Sequence, residues 1–249
     1  MSAPIGRVDS SLTPLLAMPT NQPYNTREGA AQSSALEGYF PNKMGRIALL
    51  AFEEVVGREV METVLTMARM PDRLEDYPPN NFAREFSFEE LAGMQLALEE
   101  LYGVRSGRGL VRKIGSACFR IGAEDLRAVL GVADLAFRVL PLRTRLRVGF
   151  ETLAQISRQY SDHRIRLEED ERHFRWIAEQ CGVCWGRRTD APCCHLSIGL
   201  LEELLYWLAG GEKFYIEEIS CIATGDPTCT ILIGKHPQPP SMPSTEDEA

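Results

Sequence analysis

Between residues 44 and 70 apolar side chains recur at helical spacing. Ile47, Leu50, Ala51 and Val55 make one stripe, which Gly57 ends or bends. Val60, Val64, Leu65 and Ala68 make the next, stopped by Pro71, and Tyr77-Pro78-Pro79-Asn80 reads as a loop. Ser87 and Glu90 are spaced as a capping box, which opens a helix through Leu91, Met94, Leu98 and Leu101 and stops at Gly103. A short helix is expected from Leu110 to Phe119. Pro141, at a first-turn position, opens the most regular helix, with Leu142, Leu146, Phe150, Leu153 and Ile156 on one face.

The period then changes. From His163 to Ile177 the pattern alternates, with Ile165 and Leu167 on one arm, Phe174 and Trp176 on the other, and Glu169-Asp170 turning between them: a hairpin. A cysteine-rich loop leads into a helix with Leu196, Leu200, Leu204 and Leu208 in register. Ser-Cys-Ile-Ala-Thr-Gly-Asp-Pro-Thr-Cys-Thr-Ile-Leu-Ile then gives a second hairpin, with Gly225 in its turn. The expected fold class is α+β: N-terminal helices packed on an antiparallel sheet of two hairpins separated by a helix. A space between helices and sheet is where such a domain holds an apolar ligand, and Phe150, Phe174 and Trp176 are the candidate lining residues.

Residues 1–38 are rich in Pro, Ser, Thr, Asn and Gln without periodicity and are expected to be a flexible tail. Residues 39–236 form one domain, and residues 237–249 an acidic, proline-rich tail. At 249 residues the chain can bury a proper core, and its formal charge of −8 speaks against nucleic acid as a partner. The arginines between Arg138 and Arg166 read as a solvated face or as a rim for an anionic group. No apolar run approaches a membrane span and no secretory signal is visible, so a cytoplasmic location is expected.

Seven cysteines, an odd number with Cys118 far from the rest, do not look like a disulfide framework. Cys221 and Cys229 fall opposite each other across the second hairpin, where facing Cβ atoms lie roughly 4.5–5.5 Å apart. Two thiolates there can grip one soft or borderline cation. Cys194 and Glu218 would complete a closed tetrahedral set of the kind zinc takes. Inert buried thiols and a Cys221–Cys229 disulfide are the other readings. Glu218 and Cys221 differ by three positions, so a bulge or an irregular strand end is needed to turn both to one ion. Cys181-Gly-Val-Cys184 is a second thiol site, a redox pair or a loop feature, the last being favoured.

Pro192-Cys-Cys-His-Leu-Ser-Ile-Gly-Leu-Leu, Glu218-Ile-Ser-Cys221 and Gly225-Asp-Pro-Thr-Cys229 together resemble the 4-vinyl reductase-like domain family. Tyr39-Phe-Pro-Asn-Lys, Leu101-Tyr-Gly and Val111-Arg-Lys-Ile-Gly are similar to its helical half. The resemblance implies a helix-flanked antiparallel sheet, related to that of nitric-oxide-sensing haem domains. It also implies a homodimer, a small hydrophobic ligand, and zinc on Cys194, Glu218, Cys221 and Cys229.

The function expected from these readings is a zinc-containing, non-catalytic binding domain for an aromatic compound or tetrapyrrole, acting as sensor or carrier. No catalytic residue is assigned. The alternative is an enzyme or accessory protein of bacteriochlorophyll biosynthesis. Against direct reduction, Gly103 to Gly109 follows a helix rather than a strand and is no dinucleotide fingerprint.

Overall fold

The fold is laid out from a computed structural model, which describes residues 37–130 and 139–238, without the side chains of 124–130. The chain divides into two units, Met1–Ala35 and Leu36–Ala249, and the first lies outside the described residues. The expected tails lie outside them too, apart from Glu37, Gly38, Pro237 and Gln238.

Strand β1 (Tyr39–Pro41) leads directly into α1 (Asn42–Val56), and α2 (Arg58–Met67) follows Gly57. Gly57 has a φ of 80°, the left-handed region that glycine reaches without a Cβ penalty. The apolar face of α1 differs from the expected one by about one residue. Ala48, Leu49, Ala51 and Phe52 are buried, whereas Ile47, Leu50 and Val55 are half-buried. Runs of large residues on both sides of the stripe leave its centre ambiguous in the sequence.

β2 (Arg84–Ser87) pairs antiparallel with β1, a two-stranded sheet too short to register as a pattern. The capping box is present at the start of α3 (Phe88–Tyr102). The Ser87 hydroxyl accepts from the Glu90 N–H at 3.1 Å, and the Glu90 carboxylate accepts from the Ser87 N–H at 2.7 Å.

α4 runs from Val104 to Leu130, far beyond the expected Leu110–Phe119. Gly107, Gly109 and Gly115 suggest breaks there, but two of them exist for packing. A Cβ on Gly107 would meet Leu98 and Glu99 backbone within 2.8 Å, and one on Gly115 would lie 2.1 Å from the Leu196 carbonyl oxygen.

α5 (Leu142–Tyr160) crosses the sheet with Leu146, Phe150, Ala154 and Ser157 buried. The sheet holds β3 (Arg164–Glu169), β4 (His173–Gln180), β5 (Phe214–Ser220) and β6 (Cys229–Pro237) in the antiparallel order β3-β4-β6-β5. The two hairpins therefore join through β4 and β6, and α6 (His195–Ala209) lies between them in sequence. The architecture is α+β, as expected: helices over an antiparallel sheet.

Lys235 is a charged side chain of the interior. Lys235, 3% exposed, donates from Nζ to Glu169 Oε2 at 2.5 Å and to the Asp170 carbonyl oxygen, and lies 4.7 Å from the centre of the Phe174 ring. It is buried because it is paired. Arg147 reaches the same carboxylate at 2.9 Å.

Candidate functional site

Six of the seven cysteines meet at one end of the sheet, where β4 and β5 end, β6 begins and α6 starts. Helix α6 is placed by its crossing with α4. Gly199 lies so close to α4 that a Cβ there would sit 1.8 Å from the Arg112 carbonyl oxygen. Ser116 Oγ donates to the Gly199 carbonyl at 3.1 Å, and the Arg112 guanidinium holds Glu202 with both arms, one at 2.6 Å. This fixes the first turn of α6, whose N-cap residue is Cys194.

The loop carrying Cys181 and Cys184 is tied to α3, since Gln95 Nε2 donates to the Val183 carbonyl at 2.9 Å. Beside it Arg187 and Glu99 form an ion pair of 2.6 Å with both side chains only 7% exposed.

The third wall is the β5–β6 end. Cys221 lies just past β5, and a 3-10 turn (Ile222–Thr224) leads to Gly225. Glu218 pairs with Ile231 and Ser220 with Thr230, so the register shifts by one residue between them. That is the irregularity the spacing of Glu218 and Cys221 demanded. Asp226 Oδ2 accepts from the Cys221 N–H at 2.9 Å, and the Ile222 N–H points at the Cys229 sulfur at 3.2 Å.

Cys194, Glu218, Cys221 and Cys229 are all buried, and one donor atom from each lies within 4.8 Å of the others. Cys194 and Cys221 sulfurs are 3.9 Å apart, and those of Cys221 and Cys229 3.8 Å. Glu218 Oε2 accepts from the Cys194 N–H at 2.8 Å, while its Oε1 is buried without a hydrogen-bond partner. Burial pushes the Glu218 carboxyl up to about 8. All seven thiols are free.

Contacts among the sulfurs split their acidities. Cys221 is held low by hydrogen bonds from neighbouring thiols, that of Cys184 first, and Cys181 likewise. Cys229 and Cys194 are pushed up, in each case by contact with Cys181 first. The positive end of the α6 dipole adds to the attraction for thiolate.

Cys181 and Cys184, favoured in the sequence as a loop feature, and Cys193, the alternative to Cys194 as first metal ligand, lie in or beside this cluster. Cys181 is 3.6 Å from Cys194, and Cys184 is 3.4 Å from Cys229, sulfur to sulfur. The signal was the C-x-x-C spacing itself.

Phe150, Phe174 and Trp176 lie elsewhere, where α5 meets the sheet. Phe150 and Phe174 are fully buried with ring centres 5.4 Å apart, and Trp176 is 6% exposed. A hollow of about 440 Å³ lies instead against α4, α6 and β5, among Arg112, Glu202, Glu203, Tyr206 and Lys213, and a second of about 210 Å³ touches Arg143, Lys235 and His236.

No protein-family model and no curated protein matches the chain. The fold is that of H-NOX domains. A Cs H-NOX mutant with 4-cyano-L-phenylalanine at site 5 aligns with a TM-score of 0.51 at 13% identity, over 79% of this chain and 97% of that one. An H-NOX structure described as probing the function of heme distortion gives 0.49 at 13% identity, over 82% and 100%. The phenol-responsive sensory domain of the transcription activator PoxR, with phenol, gives 0.43 at 22% identity, over 58% and 72%.

These findings correct three expectations. The similar solved structures are mainly H-NOX domains and no family model matches, so the assignment to the 4-vinyl reductase-like family does not stand. The spacing of residues 192–229 that suggested it is what a thiol-bearing loop, helix start and hairpin need to converge. The bacteriochlorophyll role goes with the family. Zinc as the cofactor is corrected as well, because the matching domains are described by heme or bound oxygen.

In neither of the two hollows do the described residues set a histidine in a porphyrin-sized apolar space, as heme requires. An axial ligand must face a porphyrin-sized apolar space. The four histidines are His163, His173, His195 and His236. None lines the larger hollow, and the hollow that His236 touches is below the roughly 300 Å³ at which ligand pockets begin. The His163 ring packs edge-on against Phe40 and Phe88.

Proposed function

We propose that this chain is a non-catalytic binding domain of sensory type, in which Cys194, Glu218, Cys221 and Cys229 hold one soft metal ion as a structural clamp. The observation that carries the reading is the convergence of three buried thiols and one Glu218 carboxylate oxygen within 4.8 Å, with Glu218 Oε1 buried and unpartnered. A buried polar atom without a partner costs about 1–3 kcal/mol, and a cation at that point removes the cost. Four protein ligands leave no open coordination position, which favours a clamp over Lewis-acid catalysis. The free thiols suit a reducing compartment such as the cytoplasm.

The sensory part of the proposal is supported by the shared fold. Its ligand is a small hydrophobic molecule, seated where Phe150, Phe174 and Trp176 meet and admitted by separation of the two phenylalanine rings. A homodimer through the helical half completes the proposal. The stripe of residues 44–70 packs largely inside its own domain, so the better candidate surface is the exposed set Leu96, Leu101, Tyr102 and Val104.

The clamp is tested by titrating the reduced, metal-free protein with Co2+. Expected is intense thiolate-to-cobalt absorption with tetrahedral d–d bands, weakened in Cys221→Ser and altered in Glu218→Gln. A wild-type protein that gives neither feature removes the reading.

A further inference from the structure

Two thiols that the clamp does not use, Cys181 and Cys184, form a second set with two that it does. Cys181, Cys184, Cys194 and Cys229 are all buried, and their sulfurs lie within 4.8 Å of one another. Two of these, Cys194 and Cys229, also belong to the first set. Cys181 is in contact with Cys194 and Cys184 with Cys229, at 3.6 and 3.4 Å, while Cys221 lies 3.9 and 3.8 Å from the same two sulfurs.

We infer that the cluster is a two-ion centre: Cys194 and Cys229 bridge a pair of soft divalent cations, with Cys181 and Cys184 terminal on one and Glu218 and Cys221 terminal on the other. The inference rests on the clamp proposed above and adds a second position to it.

Two features favour two ions over one, and the charge permits them. A single ion in the first set leaves Cys181 and Cys184 as buried thiols pressed against bound thiolates. Each half has two terminal donors plus the shared pair, which is a full four-coordinate set on both sides. The charge is also tolerable. Five thiolates and one carboxylate carry −6, which two divalent ions reduce to −2, beside the buried Arg187 and the amide that Ile222 directs at Cys229. One divalent ion on Cys194, Glu218, Cys221 and Cys229, with Cys181 and Cys184 left as neutral thiols, also carries −2, so the second ion adds no net charge. Binding releases the thiol protons to solvent, so no oxidant or reductant is involved.

The loop geometry fits this role. Gln95 anchors the Val183 carbonyl between the two cysteines, so both sulfurs are aimed inward before any ion arrives. Such preorganisation reduces the ordering cost of binding.

The test is the binding of Cd2+ by reduced full-length protein, counted by native mass spectrometry and read by 113Cd resonance. Expected are two ions per chain and two resonances, one at the position of an all-sulfur set and one shifted toward that of three sulfurs and an oxygen. The Cys181→Ser/Cys184→Ser double variant should then retain one ion, with the mixed-donor resonance alone. The wild-type count decides the matter without needing a variant to fold. One ion with mixed donors overturns the second position and leaves the clamp standing. One ion in all-sulfur surroundings overturns both the pair and the assignment of Glu218, and no ion overturns the whole reading.

Discussion

Gly199 of α6 lies against the carbonyl of Arg112 on α4 so closely that a methyl group would overlap the oxygen, at 1.8 Å. The backbone on each side is helical and cannot give way as a flexible side chain does. Gly199→Ala is therefore expected to lower stability by at least about 2 kcal/mol in a urea melt, in the range of overpacking. Because the same helix begins at Cys194, the variant should also bind Co2+ more weakly. Gly109→Ala on α4 is the contrast. It is exposed with nothing within 4 Å of its would-be Cβ, and should stabilise by about 0.4–1 kcal/mol.

Removing the metal should loosen one end of the sheet. Chelation of metal-loaded protein is expected to lower the thermal midpoint by several degrees, and Cys229→Ser should abolish that difference. Equal midpoints with and without chelator in the wild type would count against a structural ion.

The pair of buried Lys235 and the more exposed Glu169 gives an asymmetric prediction. Glu169→Gln leaves the buried ammonium facing a neutral amide in place of a carboxylate, and should cost about 1–3 kcal/mol. Lys235→Met leaves Glu169 with the Arg147 guanidinium and partial solvent, and should cost less. The hydrogen bond from Lys235 holds the Glu169 carboxyl below its ordinary value of 4.5. The stability it contributes is thus present above the usual carboxylate range and lost as pH falls through the depressed value. Acid melts of Glu169→Gln should lack that part of the slope.

Ser87→Ala removes the hydroxyl that accepts from Glu90, and is expected to cost about 1 kcal/mol by urea denaturation. This box was legible in the sequence because both partners lie within four residues and the chemistry is local. So were both hairpins and the α+β class, since alternation and helical spacing are local patterns too.

What was hidden depends on distant neighbours. Gly107 and Gly115 look like helix breakers until the backbone packed against them is known. Leu49 and Leu50 are equally apolar, and only the position of α4 decides which one is buried. The expected metal set was spatially coherent because three of its members flank one hairpin. Cys181 and Cys184 join it only because β4 pairs with β6, which places Ala178 opposite Cys229. Family assignment failed for the converse reason: a few residues at fixed spacing describe a local convergence, and many chains can achieve it.

The strand order β3-β4-β6-β5 also dictates when the centre can form. During synthesis Cys181, Cys184, Cys193 and Cys194 emerge well before Cys229, and β4 waits with an open edge until residues 229–237 can be laid between it and β5. For that interval four thiols and an unpaired strand are exposed together, a combination prone to oxidation and to mispairing with other chains. Arrival of the last strand ends both hazards in one step. Slow translation through residues 195–228 would lengthen the dangerous interval, and a shortage of reducing power would be felt there first.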